Sequence, residues 1–257
     1  MENVVENIVA TEEEIVVDLD SVEENEENEE DTPVMRSDLN RILKELEEEE
    51  DSKNAKYAHA VGISLPDPSV AMYWRDLAER NIYLEGSIED DHIGIVHRIN
   101  RWNCEDRGIP VEDRKPILLY IHSPGGLLLT SFAICDAIQH SQTPVYGVNM
   151  GECASGAALI FSSCHKRFAA PNAFFLFHLG SGGTYGTYQQ TRSQQNDYNH
   201  KVEQMKNLVK NNLNLQNCEE FDTLIDGEWY LYMDVTDGSE HDARHYNLIT
   251  HEYHELS

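Results

Sequence analysis

The sequence predicts an α/β fold in which buried parallel strands alternate with helices. Residues 117–126 (ILLYIHSPGG) form an apolar run that ends in two glycines, and the apolar run of residues 144–150 is followed by Gly151, as buried strands are before a tight turn. A helix-like stretch, residues 129–140, lies between them. Such a strand–helix–strand unit places two parallel strands side by side, with their carboxyl ends at one edge of the sheet. Binding and catalytic sites in open α/β folds form at this edge.

Ser155 is the candidate nucleophile, because it stands where the second strand turns into an apolar helix through Ala154, Gly156 and Ala157. Backbone N–H groups and the positive end of the helix dipole favour a developing anion there. The N–H groups of Gly126 and Gly156 are expected to converge on one oxyanion. The alternative is that Ser155 is only a small N-cap residue. Cys153 is set aside as nucleophile, because the turn brings Ser155 to the helix start.

Composition excludes several classes of function. The formal net charge of the 257 residues is −28, from 47 acidic and 19 basic side chains. Binding to nucleic acid or to an anionic membrane needs clustered Lys and Arg, so neither is expected. No apolar run approaches the ~20 residues of a transmembrane helix, and no signal peptide is evident. Five scattered cysteines without a Cys-x-x-Cys pair indicate a reducing, cytoplasmic location. No metal or cofactor is expected.

The charge divides the chain into three parts. Residues 1–56 hold 21 acids and 5 bases and few aromatic residues, so they are predicted to be an acidic extension, disordered at least over residues 1–35. Residues 57–72 read as a linker, and residues 73–257 as a single core domain. Within that domain, residues 188–213 form a long amphipathic helix after a glycine-rich tract, residues 180–186.

Shorter elements complete the predicted order. The pattern predicts helices over 73–80, 88–102 and 219–225, and strands over 81–84 and 173–178. Residues 103–115 and 163–167 are predicted to be a loop and a turn. The tail, residues 231–257, has no strong periodicity.

The stretch from residue 73 to about residue 249 resembles the Clp peptidase (ClpP) family of serine proteases. The matching segments occur in the family's order with near-family spacing. They are YWRDLAERNIYLEGSI (73–88), LLYIHSPGG (118–126), VNMGECASGAALI (148–160), KRFAAPNAFFLFH (166–178), EFDT (220–223) and ARHYNLI (243–249). The resemblance implies a spiral of ββα units, a fold shared with the crotonases. Three positions depart from the family's pattern: His122, Gly156 and Phe221 replace its usual asparagine, methionine and arginine.

The resemblance implies a Ser-His-Asp triad of Ser155, His178 and Asp222. His178 ends the predicted strand 173–178, and a neighbouring strand would bring it to the edge that holds Ser155. His122 and His165 are the competing histidines and are interpreted as structural. Asp222 comes from the EFDT segment, and Asp226 is the alternative third member of the triad.

The expected function is hydrolysis of peptide bonds in unfolded proteins by a serine endopeptidase. The resemblance implies a homo-oligomer of stacked heptameric rings, joined through residues 180–213, and an AAA+ unfoldase that threads substrates into it. The sequence has no G-x-x-x-x-G-K-[ST] loop, so that ATPase would be a separate partner. Alternatives left open are a catalytically inactive ring subunit, a crotonase-type acyl-CoA enzyme, and a viral relative serving capsid maturation.

Overall fold

The computed structural model describes residues 8–11, 14–17 and 68–256. The chain divides into two units, Met1–Pro68 and Ser69–Ser257. In the first unit, β1 (Ile8–Thr11) pairs antiparallel with β2 (Glu14–Val17). These two strands fall inside the stretch predicted to be disordered. The other residues of the predicted acidic extension, and the predicted linker up to residue 67, lie outside the described residues.

The second unit is built on a six-stranded, mostly parallel sheet. Five strands lie in the order β3 (Asn81–Ile88), β4 (Ile117–Gly126), β5 (Val145–Ala154), β7 (Phe174–Phe177) and β8 (Trp229–Tyr232), and β6 (Lys166–Ala169) also pairs with β5. Within this sheet, β7 and β8 pair antiparallel and the other strand pairs are parallel. The α/β prediction is therefore confirmed, with helices alternating along a mostly parallel sheet.

Strand β5 has two successive partners on one side. Its first half, up to Asn149, pairs with β6, and its last residues, Glu152–Ala154, pair with β7. Gly151 lies at the change of partner, with its N–H bonded to the Asn149 side chain at 2.9 Å. The switch brings the end of β7 beside the end of β5, and this edge holds the candidate site.

Six helices accompany this sheet in the described part of the chain. They are α1 (Pro68–Glu79), α2 (Gly94–Glu105), α3 (Leu128–Gln139), α4 (Gly156–Ser163), α5 (Tyr188–Leu213) and α6 (Phe221–Asp226). Short 3-10 turns lie at Asp90–Ile93, Val111–Asp113 and Tyr253–Leu256. No helix in the described part of the chain is long and apolar enough to cross a membrane.

Helix α4 is the central helix of the core. All eight of its residues are buried, and it packs against α3, α5 and strand β4. Its sequence, GAALIFSS, is apolar or small on every side, as a fully buried helix requires. The turn that leads into α4 is therefore held by a rigid core rather than by a surface loop.

Several predicted bounds hold, and others need correction. Strand 117–126 and helix 188–213 begin and end as predicted. Helix α1 begins at Pro68, so the last five residues of the predicted linker 57–72 are helical. Strand β6 begins at Lys166, inside the predicted turn 163–167. Strand β8 includes Leu231 and Tyr232, at the start of the tail in which the sequence shows no strong periodicity.

Candidate active site

Ser155 forms the turn between β5 and α4. Its backbone has φ 54° and ψ −123°, a region that non-glycine residues rarely adopt. The Ser155 N–H donates to the Leu176 carbonyl oxygen at 2.8 Å, and the Ser155 carbonyl accepts from the Leu159 N–H at 3.2 Å. The residue is half-buried at the N-cap position of α4. A strained strand-to-helix turn of this kind presents a serine hydroxyl beside free helix N–H groups.

Glycines make room for this turn. A Cβ atom on Gly125 would lie 2.7 Å from the Ser155 Cβ and 2.8 Å from the Gly156 nitrogen. Gly125 also has φ 91°, which favours glycine. A Cβ on Gly126 would instead meet the backbone of Ile88. Gly125 therefore lies against the candidate nucleophile, although the sequence had singled out only Gly126 and Gly156.

Ser123 holds the glycine turn in place and was missed in the sequence. It is fully buried, its Oγ donates to the Gly86 carbonyl at 2.6 Å, and it accepts from the Gly125 N–H at 3.1 Å. The signal was available, because serine two residues before a glycine often bonds the turn's backbone. Ser123 thereby positions Gly125 relative to β3.

His178 directly follows β7 and is half-buried. Because β5 and β7 are parallel and Ala154 pairs with Leu176, Ser155 and His178 lie at the same edge of the sheet. The structure thus brings these two predicted residues to neighbouring strand ends. No side-chain hydrogen bond joins them in the described part of the chain. Such bonds are often long before substrate binds.

Asp222 and Asp226 lie on α6 and are both engaged by lysines of α5. Asp222 is exposed and pairs with Lys210 at 3.1 Å and with Lys206 at 3.6 Å. The hydrogen bond from Lys210 lowers the pKa of the Asp222 carboxyl. Asp226 pairs with Lys206 at 2.6 Å. Among the described contacts, neither aspartate is bonded to His178, so the structure does not bring Asp222 into contact with the other two predicted residues.

The competing residues are His165, His122 and Cys153, and their contacts or burial indicate structural roles. His165 Nδ1 accepts from the Val145 N–H at 3.1 Å, and burial lowers the pKa of its imidazole. His122 Nδ1 accepts from the Glu152 N–H at 3.3 Å. Cys153 is completely buried, and burial raises the pKa of its thiol well above the ordinary value. A thiol in that state is a poor nucleophile, which supports Ser155 over Cys153.

No group of three or more metal-ligating side chains comes together within the residues that the structure describes. The site therefore consists of a hydroxyl, an imidazole and backbone N–H groups at one sheet edge. These groups can carry out acyl transfer, with the imidazole as the base.

A serine at a strained strand–helix turn, with a histidine just past the end of the neighbouring strand, is an arrangement that serine hydrolases use to place a nucleophile near its base. Residues 68–250 match the family model described as Clp protease. The chain therefore belongs to the Clp protease family.

Individual relatives agree with the family model. The chain is 34% identical over 122 residues to the ATP-dependent Clp protease proteolytic subunit of Carsonella ruddii (strain PV), covering 47% of this chain and 60% of that protein. It is 36% identical over 126 residues to the subunits of the same name from Streptococcus thermophilus and Streptococcus mutans, covering 48% of this chain and 61% of each relative. The matched region thus spans about 60% of the length of these curated relatives.

Proposed function

We propose that this chain is a serine endopeptidase resembling the proteolytic subunit of ATP-dependent Clp protease. The observation that carries the proposal is the position of Ser155. It occupies a strained turn at the start of a fully buried helix, with Gly125 against it and His178 at the adjacent strand end. Strain at a single serine beside free helix N–H groups is typical of a nucleophile.

In the proposed reaction, the Ser155 hydroxyl attacks the carbonyl carbon of a peptide bond while the His178 imidazole accepts its proton. The tetrahedral oxyanion accepts hydrogen bonds from the backbone N–H groups of Gly126 and Gly156. His178 then protonates the leaving amine, and an acyl group remains on Ser155. Water, deprotonated by His178, hydrolyses this ester and regenerates the serine.

A carboxylate that holds the imidazole completes a triad of this kind. Asp222, the residue selected from the sequence, would have to leave Lys210 and Lys206 to serve. Asp226 would likewise have to leave Lys206. Both roles thus require these ion pairs to break.

The proposal extends to assembly and partners. The relatives are named as proteolytic subunits of an ATP-dependent protease, so we expect a separate AAA+ unfoldase and unfolded polypeptides as substrates. Stacked heptameric rings would join through α5 and the glycine-rich segment before it. Tyr198 of α5 fastens that segment by donating to the carbonyls of Leu179 and Gly180 at 3.0 and 3.2 Å. The free thiols suit the cytoplasm.

The alternatives lack a supporting observation of their own. The strained φ of Ser155 favours an active enzyme over an inactive ring subunit, because such strain is concentrated at functional sites. A crotonase-type enzyme would use the glycine-turn N–H groups without needing Ser155 and His178 together.

Labelling with a fluorophosphonate probe tests the proposal, because this reagent modifies only an activated serine. We expect the purified full-length protein to be labelled on the peptide that contains Ser155, and to hydrolyse a small fluorogenic peptide. Ser155→Ala should abolish both signals, with a loss of roughly 10⁶ in kcat. Cys153→Ala is the matched control and should retain both. Labelling elsewhere, or activity in Ser155→Ala, would exclude Ser155 as the nucleophile.

A further inference from the structure

The register of the antiparallel pair β7–β8 indicates which residue faces His178. The two strands are antiparallel, and their last pair joins Phe177 to Trp229. Because pairs in an antiparallel ladder advance by one residue in opposite directions, the next position sets His178 opposite Glu228. Residues directly opposite each other have Cβ atoms about 4.5–5.5 Å apart. Extending the register by one residue past the last pair therefore points to Glu228 as the neighbour of the proposed base.

Both side chains lie on the same face of the sheet. Phe177 and Trp229 point into the core, with ring centroids 5.6 Å apart. Alternation along the strands puts His178 and Glu228 on the opposite face, together with the Leu176–Tyr230 pair. The Tyr230 hydroxyl donates to Glu228 Oε2 at 3.0 Å, which places the carboxylate on that face. This hydrogen bond also raises the pKa of the Tyr230 phenol.

The start of β8 is firmly anchored, so the position of Glu228 is defined. The neighbouring Trp229 is 2% exposed, and its Nε1 donates to the Glu240 carbonyl at 2.8 Å. The Trp229 ring also packs against Tyr246 at 4.7 Å in an edge-on arrangement. These contacts hold the residue next to Glu228 while the glutamate side chain itself stays exposed and able to change rotamer.

We infer that Glu228, and not Asp222 or Asp226, is the carboxylate that orients the imidazole of His178. This inference rests on the proposed function. Tyr230 binds Oε2, and none of the described contacts uses Oε1, which can accept from an imidazole N–H across the strand pair. In that arrangement Glu228 fixes the tautomer in which the other ring nitrogen accepts the Ser155 proton, and it stabilises the imidazolium. Glu228 is thus a positioning residue that acts through His178.

The two aspartates have a different task. Asp222 and Asp226 join α6 to Lys206 and Lys210 of α5, and the Lys210 ammonium also lies 4.9 Å from the centre of the Phe221 ring. These contacts fasten one helix to the other. Substituting either aspartate should therefore affect the stability of this helix pair more than the chemistry at Ser155.

The test compares Glu228→Gln, Asp222→Asn and Asp226→Asn in the full-length protein, with kcat and KM measured on a small fluorogenic peptide. We expect Glu228→Gln to lower kcat by roughly 10²–10⁴, as removal of a triad carboxylate does, with little change in KM. Asp222→Asn and Asp226→Asn should keep kcat within about threefold of the wild type, since exposed ion pairs contribute little. Glu228→Asp retains the carboxylate and should restore part of the lost kcat.

Native mass spectrometry and melting curves establish that each variant keeps the wild-type assembly and fold. With assembly intact, two results would overturn the assignment of Glu228 and leave the proposed function standing. One is a Glu228→Gln variant within about threefold of wild-type kcat, and the other is a large loss of kcat in Asp222→Asn. A wild-type protein that neither hydrolyses the peptide nor reacts with fluorophosphonate overturns the proposed function itself. A further outcome would also contradict the assignment. If Glu228→Asp is as inactive as Glu228→Gln while Tyr230→Phe is fully active, the Glu228 carboxylate does not orient the imidazole of His178.

Discussion

The backbone N–H of Ser155 donates a 2.8 Å hydrogen bond to the carbonyl oxygen of Leu176, two residues before His178. This bond continues the β5–β7 ladder one residue past the end of β5. It ties the turn that carries the proposed nucleophile to the strand that carries the proposed base. The separation of the two strand ends is therefore set by backbone pairing in the core and does not depend on mobile loops.

The strain at Ser155 predicts a difference between two inactive variants. Ser155→Ala keeps the unfavourable φ of 54°, whereas Ser155→Gly adopts this φ without steric cost. Relief of strain, about 1–3 kcal/mol, exceeds the extra chain entropy of glycine, about 0.5–1 kcal/mol. We expect Ser155→Gly to be more stable than Ser155→Ala by about 1 kcal/mol in urea unfolding. Equal or lower stability of the glycine variant would show that the turn is not strained.

The close approach of Gly125 to Ser155 predicts that Gly125→Ala loses most of its activity. Its methyl group would lie 2.7 Å from the Ser155 Cβ, so the turn or the nucleophile must move. A displacement of about 1 Å at reacting groups can lower kcat about 10²-fold. Peptide hydrolysis and fluorophosphonate labelling measure the loss. Gly94→Ala is the control, because Gly94 has helical φ −55° and open space around it, and it should remain fully active.

Local sequence patterns were enough to predict the parts of this fold that depend on local physics. Strand β4 and helix α5 were located from an apolar run and from helical periodicity, and Ser155 was located from small residues at a strand–helix junction. Strand β8 has only four residues and forms by pairing with β7, more than 50 positions earlier in the chain. Such long-range pairing leaves little signal in a single short segment.

The same reason explains the choice of Asp222 from the sequence. The sequence of a segment that resembles the family's does not show whether its carboxylate faces a histidine or a lysine. Lys206 and Lys210 lie one helical turn apart on α5, but only the packing of α6 against α5 shows that they engage Asp222. The inferred position of Glu228 opposite His178 follows only once the register of β7 and β8 is known.

Asp106 predicts a pH-dependent contribution to stability. This residue is 2% exposed and accepts two 2.7 Å hydrogen bonds from the Arg80 guanidinium and one from the Thr143 hydroxyl. The hydrogen bond from Arg80 holds the pKa of the Asp106 carboxyl below its ordinary value. A carboxyl with a lowered folded pKa adds stability above its unfolded pKa and loses it as pH falls through the folded value.

We therefore expect Asp106→Asn to cost roughly 3 kcal/mol at pH 7, because it leaves the Arg80 charge unpaired in a largely buried site. The difference from wild type should shrink as pH falls below about 4, the ordinary pKa of a carboxyl in the unfolded chain, and keep shrinking until the folded carboxyl is protonated. Urea unfolding from pH 7 to pH 3 measures this. Asp197→Asn, in an exposed pair with Lys201, is the control and should change stability by less than about 1 kcal/mol. A pH-independent cost in Asp106→Asn would contradict the ionic role.

Arg167 fastens the C-terminal segment to the core. Arg167 is 6% exposed, and its guanidinium donates to the main-chain carbonyls of Cys164, Asn247 and Leu248 at 2.8–2.9 Å. Desolvation lowers the pKa of this guanidinium, and no carboxylate is among its described hydrogen-bond partners. Among the described contacts, carbonyl oxygens offset the cost of burying the Arg167 charge. The guanidinium must donate to these oxygens in several directions at once.

Lysine cannot reproduce this set of contacts, because its ammonium is a compact charge without the planar fork of five donors. We expect Arg167→Lys to lower the free energy of unfolding by about 2–4 kcal/mol, since buried acceptors lose their partners. Amide hydrogen exchange should rise first at Thr250 and His251, whose N–H groups bond the Arg167 carbonyl. Arg101→Lys, at a position where the side chain is 77% exposed, is the matched control and should stay within about 0.5 kcal/mol of wild type. Unchanged exchange in Arg167→Lys would show that the C-terminal segment is held by other contacts.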